Sequence, residues 1–304
     1  MSVIRLPDTM SRWPFPRRMN PFYPEVAEES AEEYRCSCDL MNLFFLIDDH
    51  TDLLNELNTS MVVEASMDAL MNPDKPRPEG ESIIGEVTRQ FWSRICKYAN
   101  PSAKRQFEES WSRYATSMVE QARDRDQHRT RTVDEYLALR RITIGAEPSY
   151  AFAMLAKELP EDLLNHPLLV SLRDSITDII IYDNDLVSYN KEQATGEDLH
   201  NVLTIAMEER KVDINGALQW LADQHSEQVD RALSLLPQVL ALVATAGPHA
   251  AALAFYVDHL ANWPRANDCW NFESGRYFGA DGRQIQKSRL LTLAPRKAVL
   301  APEV

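Results

Sequence analysis

Two groups of residues in this chain have the types and spacing to hold a divalent cation. The first is Asp48-Asp49-His50-Thr51-Asp52, which directly follows the apolar run Leu43-Phe44-Phe45-Leu46-Ile47. On a helix, Asp48 and Asp52 stand one turn apart on one face, with Phe44 one turn before Asp48. Like charges at that spacing repel unless something positive sits between them. Acidic side chains at a helix C-terminus also oppose the helix dipole. A solvated helix end is the bland reading, but three carboxylates make it an expensive one. The second group is Asn184, Ser188 and Glu192, at i, i+4 and i+8. They form a stripe of amide, hydroxyl and carboxylate oxygens about 6 Å apart along a helix axis. Hard oxygen donors of this kind suit Mg²⁺, which keeps part of its water shell and readily shares substrate phosphates. The preceding run, Thr177-Asp178-Ile179-Ile180-Ile181-Tyr182, is strongly apolar and sets the stripe at the mouth of a buried helix.

Long helices are what such stripes need, and the composition supplies them. The chain has 304 residues and only nine glycines, about 3% against an average near 7%. It has neither a G-x-G-x-x-G run nor a P-loop, and no useful stretch of β alternation. We read an all-α protein. Residues 1–24, dense in proline and arginine, form an extended arm. Residues 25–304 form one helical domain with no linker and no internal repeat. Helices are expected from near Val26 through Ile47, then over 53–70, 83–98, 103–123 and 133–144. Short helices fill 150–164, and a long one covers 168–191. Others follow at 197–209, 213–235, 238–246 and 249–262, with a mixed tail from Asn267.

The net charge is −14. Nucleic acid and anionic membrane surfaces repel such a protein, so a polyanionic partner requires a bridging cation. The four cysteines, Cys36, Cys38, Cys96 and Cys269, have no zinc or redox spacing and read as free thiols. The segment from Met1 to Pro16 lacks the apolar core of a secretory signal. The longest apolar stretch, Leu235 to Leu260, is interrupted by Pro237, Gly247-Pro248, His249 and Asp258, and reads as two buried helices, not a membrane span. A cytoplasmic protein is expected, without an integral membrane segment. None of the seven histidines sits at ligand spacing with a carboxylate motif, and His50 turns away from Asp48 and Asp52.

Together, Asp48-Asp49-His50-Thr51-Asp52 and Asn184-Asp185-Leu186-Val187-Ser188-Tyr189-Asn190-Lys191-Glu192 resemble the two metal motifs of class I terpene synthases, in particular fungal and microbial single-domain sesquiterpene synthases. Two further segments fit that family. Leu139-Arg140-Arg141-Ile142-Thr143-Ile144-Gly145 matches a diphosphate-sensing arginine followed by a helix-breaking glycine. Trp270-Asn271-Phe272-Glu273-Ser274-Gly275-Arg276-Tyr277 matches an Arg-Tyr pair after a tryptophan. The four matches span residues 44–277. Asp49 stands where fungal members often have glutamate, and Asn271 where serine is frequent; neither change removes a ligand.

The resemblance implies a helical bundle around a deep apolar cavity with three Mg²⁺ at its mouth, and ionisation of a prenyl diphosphate. It implies metal binding by Asp48, Asp49, Asp52, Asn184, Ser188 and Glu192. Diphosphate would be bound by Arg141, Lys191, Arg276 and Tyr277. Arg141 is preferred to Arg140 because it stands four residues before the glycine. Asp48, Arg141, Arg276 and Tyr277 are the expected catalytic set. Phe44, Phe45, Gly145 and Trp270 are the expected cavity residues, their aromatic faces suited to a carbocation. Farnesyl diphosphate is the expected substrate. Geranyl diphosphate, or an acyclic alcohol product of the linalool or nerolidol type, is the alternative, and monomer and homodimer are both open. A chain-elongating synthase would carry a second D-D-x-x-D, and a protonation-initiated cyclase a D-x-D-D. A non-catalytic helical scaffold leaves two metal stripes without a purpose.

Overall fold

The computed structural model describes residues 2–18, 31–151, 154–155 and 157–296, without the side chains of 31–35. The expected helix start near Val26 and the arm residues 19–24 lie outside the described residues. The chain is helical almost throughout: α1 (Ala31–Thr51), α2 (Glu56–Met71), α3 (Ile83–Ile95), α4 (Pro101–Asp126), α5 (Val133–Thr143), α6 (Ala146–Ala151), α7 (Glu161–Leu164), α8 (Pro167–Thr195), α9 (Val202–Arg210), α10 (Ile214–Thr245), α11 (Ala250–Glu273) and α12 (Gly282–Ser288). Helix starts are fixed by side chains that accept from orphan backbone N–H groups. Asn55, Ser82, Asn100 and Asp213 do this for α2, α3, α4 and α10. Thr132 and Glu135 form a reciprocal capping box at α5.

The axis of the molecule is α8. From Ser175 to Tyr189 nearly every side chain is buried, as expected of a helix with neighbours on all sides. It packs most extensively against α10 and also against α11. One core fills the space around its first half, from Leu169 to Ile180. A second core surrounds Tyr182, Leu186 and Val187 with Tyr136, Val202, Leu203 and Phe272. The two polar stripes lie at the end of α8 nearer this second core.

Two expectations of broken helices are corrected. The separate helices 213–235 and 238–246 are one continuous α10 through Pro237. Likewise α11 runs through Pro264 to Glu273, well beyond the expected end at 262. Among the described residues no single helix is long and apolar enough to cross a membrane; α10 and α11 reach that length only as a pair bent by 120°.

The arm is also more structured than expected. Val3–Arg5 (β1) pairs antiparallel with Leu290–Thr292 (β2), with Ile4 opposite Leu291. Trp13 is buried and donates to the Ala261 carbonyl at 3.1 Å, while Arg265 donates to the carbonyls of Met10, Trp13 and Phe15. Residues 9–18 therefore pack against α10 and α11, with Arg12 paired to Asp230, and Arg17 and Arg18 to Glu273 and Asp258.

On the same helix, the His259 ring accepts from Trp263 Nε1 at 2.9 Å. Burial pushes its pKa down to about 4. The unfolded chain, with a histidine near 6.5, therefore takes up a proton that the folded chain refuses. Stability falls as pH drops below 6.5, by about 2 kcal/mol at pH 5. Urea unfolding at pH 7.5 and pH 5 is expected to show this loss in the wild type and a smaller one in His259→Gln. Equal losses in both would assign the acid sensitivity elsewhere.

Candidate active site

Helical geometry persists through the first motif. The Asp52 N–H donates to the Asp48 carbonyl at 2.9 Å, and Thr51 Oγ1 donates to the Ile47 carbonyl. Leu43 and Ile47 anchor this end in the core. Asp48 and Asp49 project from it half exposed. Asp52 lies 3.5 Å from Arg125, whose Nη2 donates to the Thr51 carbonyl at 2.7 Å. Arg125 thereby holds the helix end from outside.

The second motif begins about three turns before the end of α8. Gly196, at φ +88°, ends the helix in the left-handed conformation a glycine adopts without penalty. Asn184 accepts from Arg140 Nη2 at 2.8 Å and donates to the Tyr277 hydroxyl at 3.0 Å. Asn201, which no spacing singled out, donates to Glu192 Oε2 and to the Asp185 carbonyl, both at 2.8 Å. It pins the stripe from behind. Asn184, Ser188 and Glu192 thus share one face of α8. Across a cavity of about 110 Å³, Glu192 and Asn184 face Asp48 and Asp52.

The cationic side of the cavity departs from expectation at one residue. Arg141 pairs with both oxygens of Asp178 at 2.6 and 2.7 Å, away from the cavity. Arg140 is the arginine that lines it. Arg140 lies four residues after buried Tyr136 and shares its inward face, while Arg141 falls outside that face. Exposure follows: the Arg140 side chain is 15% exposed and the Arg141 side chain 40%. Behind Arg140, at 3.4 Å, sits buried Asp185, which accepts from the Tyr136 hydroxyl at 2.5 Å and from the Val202 N–H at 2.9 Å. Helical phase counted from Tyr136 was the signal that separates the two arginines.

Arg276 lies 3.1 Å from Asp49 and 3.5 Å from Asp48, and its guanidinium covers the Phe45 ring at 4.2 Å. Lys191 lies 3.6 Å from Asp49. Arg276 and Lys191 are therefore held by the acidic residues of the first motif. Even so, Nε of Arg140 and Nε of Arg276 are buried with no hydrogen-bond partner. Two orphan guanidinium donors in one cavity are the mark of a missing anion, because an unpaired buried donor is costly.

Phe44 and Phe45 both line the cavity. Phe44 stacks on Trp111 at 5.7 Å and meets Tyr114 edge-on at 4.9 Å; Phe45 stacks on Trp270 at 4.9 Å. Gly145 lies against Phe44, at φ +73°, and a Cβ there would come within 3.1 Å of the ring. Glycine is required on both counts. These aromatics fill the space where a deep apolar cavity was expected, so the cavity is narrow in this conformation. A larger one, about 470 Å³, opens toward the other end of α8 beside Arg105, Glu109 and Arg173. None of the motif residues reaches it, so donor chemistry and not size locates the site.

The electrostatics fit an absent cation. Burial, then the neighbouring Asp48, pushes Asp52 up to about 7; burial, then Asp185, pushes Glu192 up to about 8. Asp49 is the contrast: against partial burial, Arg276 and Lys191 hold it below the usual carboxylate range. Among the described residues no three carboxylate, imidazole or thiolate groups converge on one point.

The comparisons with known proteins agree with this geometry. Residues 39–231 match the family model described as terpene synthase family 2, C-terminal metal binding. Sesquiterpene synthase 14 of Postia placenta is 43% identical over 97% of this chain and 93% of its own length. A Delta(6)-protoilludene synthase of Stereum hirsutum is 39% identical over 99% of this chain and 91% of its own. Among solved structures, a cucumene synthase variant superposes with a TM-score of 0.73 at 21% identity, covering 87% of this chain and 99% of that one. The linalool/nerolidol synthase of Streptomyces clavuligerus gives 0.71 at 19%, covering 86% and 85%. With Asp48, Asp52, Asn184, Glu192, Arg276 and Tyr277 gathered at one cavity, and with relatives matched along nearly its whole length, the chain belongs to the terpene synthase family.

Proposed function

We propose that the chain is a Mg²⁺-dependent sesquiterpene synthase that ionises farnesyl diphosphate and cyclises the resulting cation. The observation that carries this reading is the pair of orphan guanidinium donors, Arg140 and Arg276, between two facing oxygen stripes. Asp48, Asp49 and Asp52 on one side, and Asn184, Ser188 and Glu192 on the other, would hold the metal, for which we propose three Mg²⁺ ions. Bound there, the ions supply Lewis acidity toward the diphosphate oxygens. Arg140, Arg276, Lys191 and the Tyr277 hydroxyl donate hydrogen bonds to the leaving diphosphate, stabilising negative charge as it grows. The allylic C–O bond breaks, and its electron pair leaves with the diphosphate. Phe44 and Phe45 offer π-faces to the cation and exclude water. Loss of a proton ends the reaction as a hydrocarbon; capture of water ends it as an alcohol.

At about 110 Å³ the cavity holds about four waters' worth of volume. A fifteen-carbon chain needs more room than this, and Phe44 and Phe45 form the wall that bounds it. Relatives named for Delta(6)-protoilludene at 39% identity favour a cyclised product over an acyclic alcohol. One chain supplies every residue of the assembly, so a single copy suffices whether it is a monomer or half of a homodimer. We propose a cytoplasmic location, which suits the free thiols of Cys38, Cys96 and Cys269.

The test is incubation with geranyl, farnesyl and geranylgeranyl diphosphate, with and without Mg²⁺, followed by gas chromatography–mass spectrometry. A Mg²⁺-dependent cyclic C15 product from farnesyl diphosphate is expected. Products from geranyl diphosphate alone would move the substrate class, and no product from any of the three would defeat the reading.

A further inference from the structure

We propose that His200 is a further residue of this site, whose Nε2 accepts a hydrogen bond from a water on the cation held at the Asp48–Asp52 face. This rests on the metal-dependent function proposed above. His200 closes the short 3₁₀ turn Asp198–His200 that follows α8. Its position is built from both sides. The Tyr136 hydroxyl donates to the His200 carbonyl at 3.0 Å, and the next residue, Asn201, is bonded to Glu192 and to the Asp185 carbonyl. The imidazole lines the cavity beside Asp52, Arg125 and Gln121.

One ring nitrogen is used by a hydrogen bond to the Gln121 backbone. The other, Nε2, is buried and has no partner. Burial first, and then the positive charges of Arg125, Arg140 and Arg131, press the pKa down to about 3, so the ring is uncharged and Nε2 is a lone-pair acceptor. An orphan acceptor needs a donor, and the loaded site has few. Diphosphate and carboxylates offer acceptors only. Arg125 is engaged by Asp52 and the Thr51 carbonyl, and Arg140 by Asn184 and Asp185. A water polarised by a divalent cation is a donor of the right kind, and Mg²⁺ keeps such waters when bound. Acceptors placed around bound ligands of a metal orient them, and losing one typically weakens metal binding by about 10–100-fold.

The test is Mg²⁺ titration in the presence of inorganic pyrophosphate, read as the rise in melting temperature of the intact protein. His200→Leu is expected to need at least about tenfold more Mg²⁺ for half of its shift. His200→Gln keeps an acceptor oxygen and is expected to stay within about threefold of the wild type. A folded His200→Leu protein with wild-type Mg²⁺ demand overturns the proposal. If His200→Leu does not fold, ¹⁵N-histidine NMR of the wild type decides, with the His200 signal assigned by its loss in His200→Gln. A lone-pair nitrogen resonance that moves on joint addition of Mg²⁺ and pyrophosphate supports the proposal; an unmoved one overturns it. A wild type whose melting temperature ignores Mg²⁺ and pyrophosphate together would instead bring down the proposed function, and this inference with it.

Discussion

An Asp48→Ala protein is expected to fold and to turn over farnesyl diphosphate at least about a thousandfold more slowly than the wild type. The metal face would lose its central carboxylate. Lewis-acid stabilisation of the leaving group is worth several kcal/mol, and each 1.36 kcal/mol is tenfold in rate. Folding survives because Asp48 stands half exposed at the end of α1, and its one ion-pair partner, Arg276, keeps Asp49. Stability in the absence of metal should hold or rise, because Asp48 is a negative neighbour that adds to burial in raising the pKa of Asp52. Steady-state kinetics with a thermal melt separate these effects. Turnover within tenfold of the wild type would remove Asp48 from the metal site.

The second large effect separates neighbouring arginines. Arg140→Ala should lower kcat by about a hundredfold or more, because a preorganised donor aimed at developing charge is typically worth 10²–10³. Arg141→Ala should leave kcat close to wild type and cost stability instead. It strips the bidentate partner from Asp178, which is buried and otherwise unpaired, and an orphaned buried charged group costs about 2 kcal/mol or more. Arg140→Ala also takes the ion-pair partner from buried Asp185 and so costs stability too; kcat is the readout that separates the two variants. The reverse pattern, with activity lost in Arg141→Ala and kept in Arg140→Ala, would restore the assignment made from sequence.

This pair also shows what kind of information a sequence yields directly. The stripe Asn184–Ser188–Glu192 and the pair Asp48–Asp52 are local: helical periodicity alone puts each set on one face, and Asn184, Glu192, Asp48 and Asp52 line the cavity. The choice between Arg140 and Arg141 needed helical phase relative to the core, and counting back from a glycine gives no phase. Proline misled for the opposite reason. Pro237 and Pro264 each remove one backbone donor, yet α10 and α11 continue, because the flanking turns are held by Val239, Leu253 and Val257 in the core. The orphan acceptor on His200 depends on Tyr136, Gln121 and Asn201 meeting from three segments, which no local pattern encodes. The two strands were illegible in the same way: three residues each, at opposite ends of the chain.

Those strands have a consequence for how the molecule is made. A ribosome releases Val3–Arg5 long before its partner Leu290–Thr292. Asp48, Asp52, Arg140, Asn184 and Glu192 emerge before that pairing forms, and Arg276 and Tyr277 emerge only just ahead of β2. A pairing between residues this far apart closes slowly, since loop closure precedes any reward from contact. Between those two points the nascent chain holds its acidic helices without the Arg-Tyr pair, and the strand pairing closes only after both are present.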